Sequence, residues 1–285
     1  MPLEDLRHNS LDYLRETARV LRADVIRMTH ASGSGHPGGS LSAADIVAAL
    51  YFRVLRLDPA DPDNPDRDRF ILSKGHCCPI QYAAMARRGF FPMEQLLRLR
   101  RFGSVCQGHP CMVKTPGLDM TSGSLGNGPA VGGGMALAAR LDGRTYRVFV
   151  IVGDGELQEG MIWESFMAAA HLKLGNLCVI VDKNLLQVDG TVAEVMSIDP
   201  LPAKIRDFGW DVQEVDGHDM AAVVGALERA YAAPMTGRPT AIVAHTVKGK
   251  GVSFMENEVV WHGLAPDDRQ YEQALRELGE IGGEA

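Results

Sequence analysis

The sequence is poor in several features that would place it in a class at once. It has 5 cysteines in 285 residues. Cys77 and Cys78 are adjacent, Cys106 and Cys111 are separated by four residues, and Cys178 stands alone. An odd set without zinc spacing reads as free thiols of a reducing compartment, not as a disulfide framework. Aromatic residues make up only 6%. No stretch approaches the ~20 apolar residues of a membrane span, and the charged start MPLEDLRHNS lacks the apolar run of a signal peptide. A cytoplasmic, membrane-free protein is the expectation. Positive charge is not in excess either. Lys and Arg number 29 against 36 Asp and Glu, a net −7, which argues against a nucleic-acid-binding surface. There is no internal repeat and no low-complexity tract.

What remains is an ordinary globular composition, 46% apolar and 23% charged, with one excess. Glycine accounts for 31 residues, about 11% against a usual ~7%. The glycines cluster, and clustered glycine marks backbone that must approach a ligand closely. Helical periodicity covers residues 11–30 and 43–54, and the proline-aspartate run DPADPDNPDRD after them is a surface loop. Then apolar runs and helical patterns alternate. Strands are expected at 70–73, 147–152, 177–181, 211–215 and 240–247. Helices are expected at 161–172, 221–232 and 267–278. Strands that are apolar throughout, with helices between them, imply an α/β fold with a doubly wound, mainly parallel sheet and helices on both faces. Such sheets bind ligands beyond the carboxyl ends of their strands.

The motifs lie at those ends. RVFVIV runs into Gly153-Asp154-Gly155-Glu156, and the next strand ends in Asp182-Lys183-Asn184-Leu185-Leu186. Asn184 lies 30 positions after Asp154, the span of one strand-helix-strand unit, so the two fall at one edge of neighbouring strands. A carboxylate, an amide oxygen and a backbone carbonyl form a half-shell of hard oxygens that magnesium completes with phosphate and water. Taken alone, GDG is better read as a turn with a helix-capping aspartate. Gly33-x-Gly35-x-x-Gly38 matches a dinucleotide fingerprint only formally, because a helical pattern precedes it and Pro37 sits inside it.

GDG followed about 30 residues later by Asn resembles the diphosphate-and-magnesium motif of thiamine-diphosphate enzymes. Five further segments narrow the resemblance: Ser34-Gly35-His36-Pro37-Gly38-Gly39, Ser73-Lys74-Gly75-His76, Gly108-His109-Pro110, Gly123-Ser124-Leu125-Gly126-Asn127-Gly128 and Trp261-His262-Gly263. In identity and order they are similar to the N-terminal, diphosphate-binding half of transketolase, from about residue 10 to the end. The resemblance implies a thiamine-diphosphate-binding fold over residues 1–285 and the cofactors thiamine diphosphate and Mg2+. Asp154, Asn184 and the Leu186 carbonyl would hold the metal. Gly153, Gly155, Glu156 and His76 would bind the diphosphate side, and Gly123 and Leu125 the aminopyrimidine. Val188 would support the bent cofactor, and His262 would serve cofactor and catalysis together. His36 and His109 would face the sugar. Glu159 and Glu164 would join a proton-sharing cluster between two active sites, although glutamates in a first helical turn need no more than the helix dipole to explain them.

The same resemblance implies transfer of a two-carbon ketol unit from a ketose, phosphorylated by expectation, to an aldose. The chain stops at EIGGEA, soon after WHG. The activating glutamate, the stacking aromatic and the main sugar-phosphate arginines are therefore expected on a C-terminal subunit carrying the pyrimidine-binding and C-terminal domains. Two copies of each chain would form a heterotetramer. An α-type subunit of an enzyme acting on 2-oxo acids is the rival, disfavoured by GHPGG, KGH and WHG; a non-catalytic cofactor-binding relic is the other. His8, His30 and His171 match no motif, and His218 is expected in a strand-to-helix turn. Where the family often has lysine, His245 stands here. Lys248 and Lys250 are expected in a solvated loop.

Overall fold

A computed structural model of the chain describes residues 8–281. Five strands, β1 (Arg69–Leu72), β2 (Val148–Gly153), β3 (Leu177–Lys183), β6 (Asp211–Asp216) and β7 (Thr240–His245), form one sheet in the order β1-β2-β3-β7-β6. All its pairs are parallel. The register pairs Gly153 with Asp182 and Lys183 with His245, so the carboxyl ends of the central strands are level. A short antiparallel hairpin, β4 (Leu186–Gln187) and β5 (Gly190–Thr191), lies just beyond β3.

The apolar runs form central strands because both faces need covering. Successive side chains point to opposite faces. Phe149, Ile151, Ile180 and Ile242 enter one core, with α1 (Leu11–Ser32), α3 (Ala44–Ala49), α4 (Cys78–Arg88) and the later α9 (Met220–Ala232). Val150, Val152, Val179, Val181 and Val243 enter the other, with α5 (Asn127–Leu141) and α6 (Gly160–His171). The doubly wound arrangement is the expected one. Strand β6 is the exception in composition, a half-exposed DVQEVD at the sheet edge, where charge discourages pairing with another chain.

Helix boundaries follow local chemistry. Ser10 caps α1 by accepting from the Tyr13 N–H, and Gly33 ends it in the left-handed region at φ 63°. Pro37 opens α2 (Pro37–Ser42), which leaves His36 at its N-cap. The helix expected at 43–54 is α3 followed by a π turn over Leu50–Val54. Helices α7 (Val192–Met196) and α8 (Leu201–Asp207) cross between β5 and β6, and α10 (Asp268–Glu277) closes the described chain with an Asp267–Gln270 capping box. All five cysteines are free, and four are buried. Among the described residues no helix is long and apolar enough to cross a membrane.

Candidate functional site

A cavity of about 240 Å³ opens where β1, β2 and β3 end, and residues from every one of the expected motif segments except GHP line it. Asp154 follows the last residue of β2 and is buried. Its Oδ1 accepts from the Gly155 N–H at 2.9 Å and its Oδ2 from the Leu185 N–H at 2.5 Å. The second bond needs an unusual backbone: Leu185 sits at φ 68°, in the region that favours glycine. The Asn-Leu-Leu turn is thereby fastened to the GDG turn, and Asp154 and Asn184 do share one edge. Asn184 directs its Nδ2 toward Ser42 Oγ at 3.3 Å and Asp182 Oδ2 at 3.4 Å, while its Oδ1, on the other side, accepts from the Leu186 N–H at 3.2 Å. Burial, and then the nearby Asp182 carboxylate, push Asp154 up to about 6. A buried carboxylate in that state is short of positive charge.

Those oxygens suit a hard cation. Among the described residues no three of His, Cys, Asp and Glu converge as a metal site. The expected half-shell contains only one such residue, so its fit rests on the under-compensated Asp154, the tethered Asn184 amide and the Leu186 carbonyl. That carbonyl already accepts from a cation, the Lys248 ammonium, at 3.1 Å.

Beneath this edge lies a pair that sequence reasoning missed. Lys74 is buried, donates to the Gly39 carbonyl at 2.7 Å, and forms a very short ion pair with the fully buried Asp182. Asp182 also accepts from the hydroxyls of Ser42 and Thr246. Burial raises the Asp182 carboxyl, but Lys74 and the hydroxyls outweigh it and hold it below the usual range. Asp182 in turn orients Asn184. Lys74 stood inside the quoted SKGH segment, yet nothing local pairs it with a residue 108 positions away.

Glu156 lines the cavity but directs its oxygens to the protein. It accepts from Ser73 Oγ and from the N–H groups of Gly126 and Gly153. It therefore ties the GDG turn to the GSLGNG loop and to β1.

Three of the four singled-out histidines converge. The rings of His36 and His76 lie 5.2 Å apart, His36 and His262 5.7 Å, and His76 and His262 5.0 Å, the last pair stacked. Burial, followed by neighbouring cations, lowers all three. His36 falls to about 4, His262 to about 3, and His76 well below its ordinary value. They are neutral imidazoles near pH 7. His109 lies apart from the ring cluster, packed against Gly123: a Cβ on that glycine would come within 3.2 Å of the ring.

The solvated-loop expectation fails for Lys248. It is buried, lowered to about 8 chiefly by burial, and lies 2.8 Å from His262 Nδ1. The fold draws its loop under GHPGG. Gly249 N–H donates to the Gly38 carbonyl at 2.9 Å, and a Cβ on Gly38 would meet the Trp261 carbonyl at 2.7 Å. Lys250 is partly exposed, 3.4 Å from Glu256. His245 is half exposed and outside the cavity. His218 is a strut between Asp45 and the Val247 N–H, and Asp219 caps α9.

The other expected residues divide by exposure. Leu186, Gly153 and Gly155 line the cavity, as do Leu125 and Val188, which are both partly open to solvent. Glu159 stands at its edge with its Cβ 2.8 Å from where a Gly126 Cβ would be. Glu164 is exposed on α6, outside the lining, on a helix that also exposes Met161 and Met167.

Residues 12–281 match the family model described as transketolase, thiamine diphosphate binding domain. The chain is 42% identical over 269 residues to the 6-deoxy-6-sulfo-D-fructose transketolase subunit SqwG of Clostridium sp. (strain MSTE9), covering 94% of this chain and 97% of that one. It is 40% identical over 259 residues to an apulose-4-phosphate transketolase subunit of Phocaeicola vulgatus, covering 91% of each. Among solved structures, transketolase from Campylobacter jejuni superposes with a TM-score of 0.89 at 29% identity, over 95% of this chain and 43% of that one. The chain thus spans about two-fifths of the length of the solved transketolases that it matches.

Proposed function

The chain belongs to the transketolase family through its thiamine-diphosphate-binding domain, and from that premise we propose that it is one subunit of a two-chain enzyme moving a two-carbon ketol unit from a ketose phosphate to an aldose. The observation that carries this reading is a single cavity at the sheet's carboxyl edge. It joins the under-compensated Asp154 carboxylate to the neutral imidazoles of His76 and His262, against which His36 packs. The relatives that the chain covers almost end to end are themselves named subunits, which supports the two-chain reading. Their names give different ketoses, so the donor sugar has to be found with a panel.

When bound, thiamine diphosphate supplies the carbanion that adds to the ketose carbonyl. Asp154, Asn184 Oδ1 and the Leu186 carbonyl would hold magnesium, and its ligand preference is met by such oxygens. His76 and Lys248 are donors in the same cavity for diphosphate oxygens. Gly123 and Leu125 offer close backbone and an apolar side chain to the pyrimidine, and Val188 supports from the hairpin side. His36, His109 and His262 exchange hydrogen bonds with sugar hydroxyls without adding charge. Glu159 and Glu164, exposed on this chain, sit where a second copy can reach them. Two-fold symmetry then gives two of each chain.

The test is turnover of ketose phosphate and aldose pairs, with thiamine diphosphate and magnesium, by this chain alone and co-expressed with its candidate partner. Activity is expected only from the pair, as a two-plus-two assembly in native mass spectrometry. Robust turnover by the chain alone would refute the two-chain reading. Turnover of 2-oxo acids in place of ketoses would refute ketol transfer.

A further inference from the structure

Arg100 has a backbone conformation that side chains rarely adopt, φ 61°. Its N–H donates to the Cys106 carbonyl at 2.9 Å, closing a tight loop on the way to GHP. From there the guanidinium bridges two motif segments. One amino group donates to Ser34 Oγ at 2.6 Å, and the other lies 3.2 Å from His36 Nδ1. On its far side a Cβ on Gly108 would meet Nε at 3.3 Å, so the glycine before His109 leaves it room. An arginine in a strained conformation, where glycine would fit the backbone better, points to a use for its side chain.

A guanidinium has donors only, so the ring nitrogen that faces it must accept. His36 Nδ1 therefore carries a lone pair, and the single proton of the neutral ring is on Nε2. That nitrogen faces the Trp-His-Gly turn, 3.6 Å from where a Gly263 Cβ would stand. The groups around His36 are Arg100, His109 and Lys248 by charge and the His76 and His262 rings by contact, and the cations disfavour a second proton on the ring. We propose that Arg100 is a positioning residue that locks His36 in the Nε2–H tautomer, so that His36 meets the ketose as a hydrogen-bond donor to an oxygen gaining negative charge and not as a base. The ketose in that statement rests on the ketol-transfer reading; the tautomer does not.

The experiment uses the co-expressed enzyme with this chain labelled with 15N-histidine, the His36 signals being assigned by their loss in His36→Gln. Wild type is expected to show an unprotonated Nδ1 and a protonated Nε2. Arg100→Gly, which suits the backbone, should leave the melting temperature intact and mix the tautomers. Its kcat should fall about tenfold, less than the 10²–10³ seen when an oxyanion donor is removed outright, with KM little changed. Arg100→Lys, which keeps a cationic donor, should recover part of the kcat and of the tautomer signal. A protonated Nδ1 in wild type, or an unchanged tautomer in Arg100→Gly, would overturn the proposal. So would a loss confined to KM for phosphorylated ketoses, because Arg100 would then be a phosphate contact. Failure of ketol transfer itself would leave the nitrogen spectrum readable, so the two ideas fail separately.

Discussion

At the Asp154 end of the cavity, burial leaves a carboxylate pushed up to about 6, with two backbone N–H groups as its hydrogen-bond donors. At the imidazole end, where His76 and His262 line the cavity and His36 packs against them, burial and neighbouring cations push His36 down to about 4 and His262 to about 3. Desolvation disfavours the charged form in both places, but the consequences differ. The carboxylate end is under-compensated, since the charge of Lys74 is taken up mainly by Asp182. The imidazole end is already uncharged and offers hydrogen bonds. Lys248 stands between the two, on the Leu186 carbonyl and beside His262. On the proposed reading one end holds charge and the other meets sugar hydroxyls, and variants should separate them.

The largest effect is expected beneath the carboxylate end. Lys74→Met removes the partner of a fully buried Asp182, and breaking a buried ion pair from one side costs about 3–5 kcal/mol. Urea unfolding of the chain should show it. A variant as stable as wild type would mean that Asp182 does not depend on Lys74. Next comes Asp154→Ala, which should weaken cofactor binding at least tenfold, about 1.4 kcal/mol. Asn184→Ala should act in the same direction. Calorimetric titration of the assembled enzyme measures both, and unchanged affinity in both places the metal elsewhere.

The two ends were unequally legible in the sequence. Strands β2, β3 and β7 are unbroken apolar runs, so a covered parallel sheet followed, and the glycine-flanked Asp154 and His36 stood out at its expected ligand edge. Pairing across the fold was hidden. Lys74 and Asp182 each end a strand segment, and nothing near either one announces the other. Lys248 and Lys250 are two apart in KGKG yet have opposite fates, because only the docking of that loop under Gly38 buries the first. Arg100 is lost in the basic run RLRR, where its φ alone sets it apart. Helix α4 begins in SKGHCCP, which looks like loop until its Pro79 is seen to occupy the first turn of the helix.

A smaller effect should divide the histidines. His36→Ala and His109→Ala should each lower kcat/KM while cofactor affinity stays near wild type, whereas His76→Ala should weaken the cofactor. Paired titrations and kinetics check this, and the reverse pattern would exchange the two assignments.

The smallest effect is a pH slope in the stability of the cofactor-free chain, to which the two ends contribute with opposite sign. His36 and His262 have folded values of about 4 and 3, against 6.5 ordinarily. As pH falls below 6.5 the unfolded chain takes up protons that these folded imidazoles refuse. Their contribution is complete above 6.5 and is lost progressively toward 4 for His36 and 3 for His262. Asp154 does the reverse: its folded value of about 6 exceeds the ordinary 3.8, so the folded form protonates first and gains stability as pH falls through 6. Between pH 7 and 5 the imidazoles should win, because His76 is lowered as well. The carboxylates held low by ion pairs act only further into acid. Solvent screening at the half-buried His36 discounts its share, so the net loss should be about 1 kcal/mol, a fall in Tm of ~2–4 °C. His36→Gln should flatten the slope and Asp154→Asn should steepen it. Melting curves at half-unit pH steps measure all three proteins, and a Tm that rises toward pH 5 in wild type would show that the carboxylate end dominates.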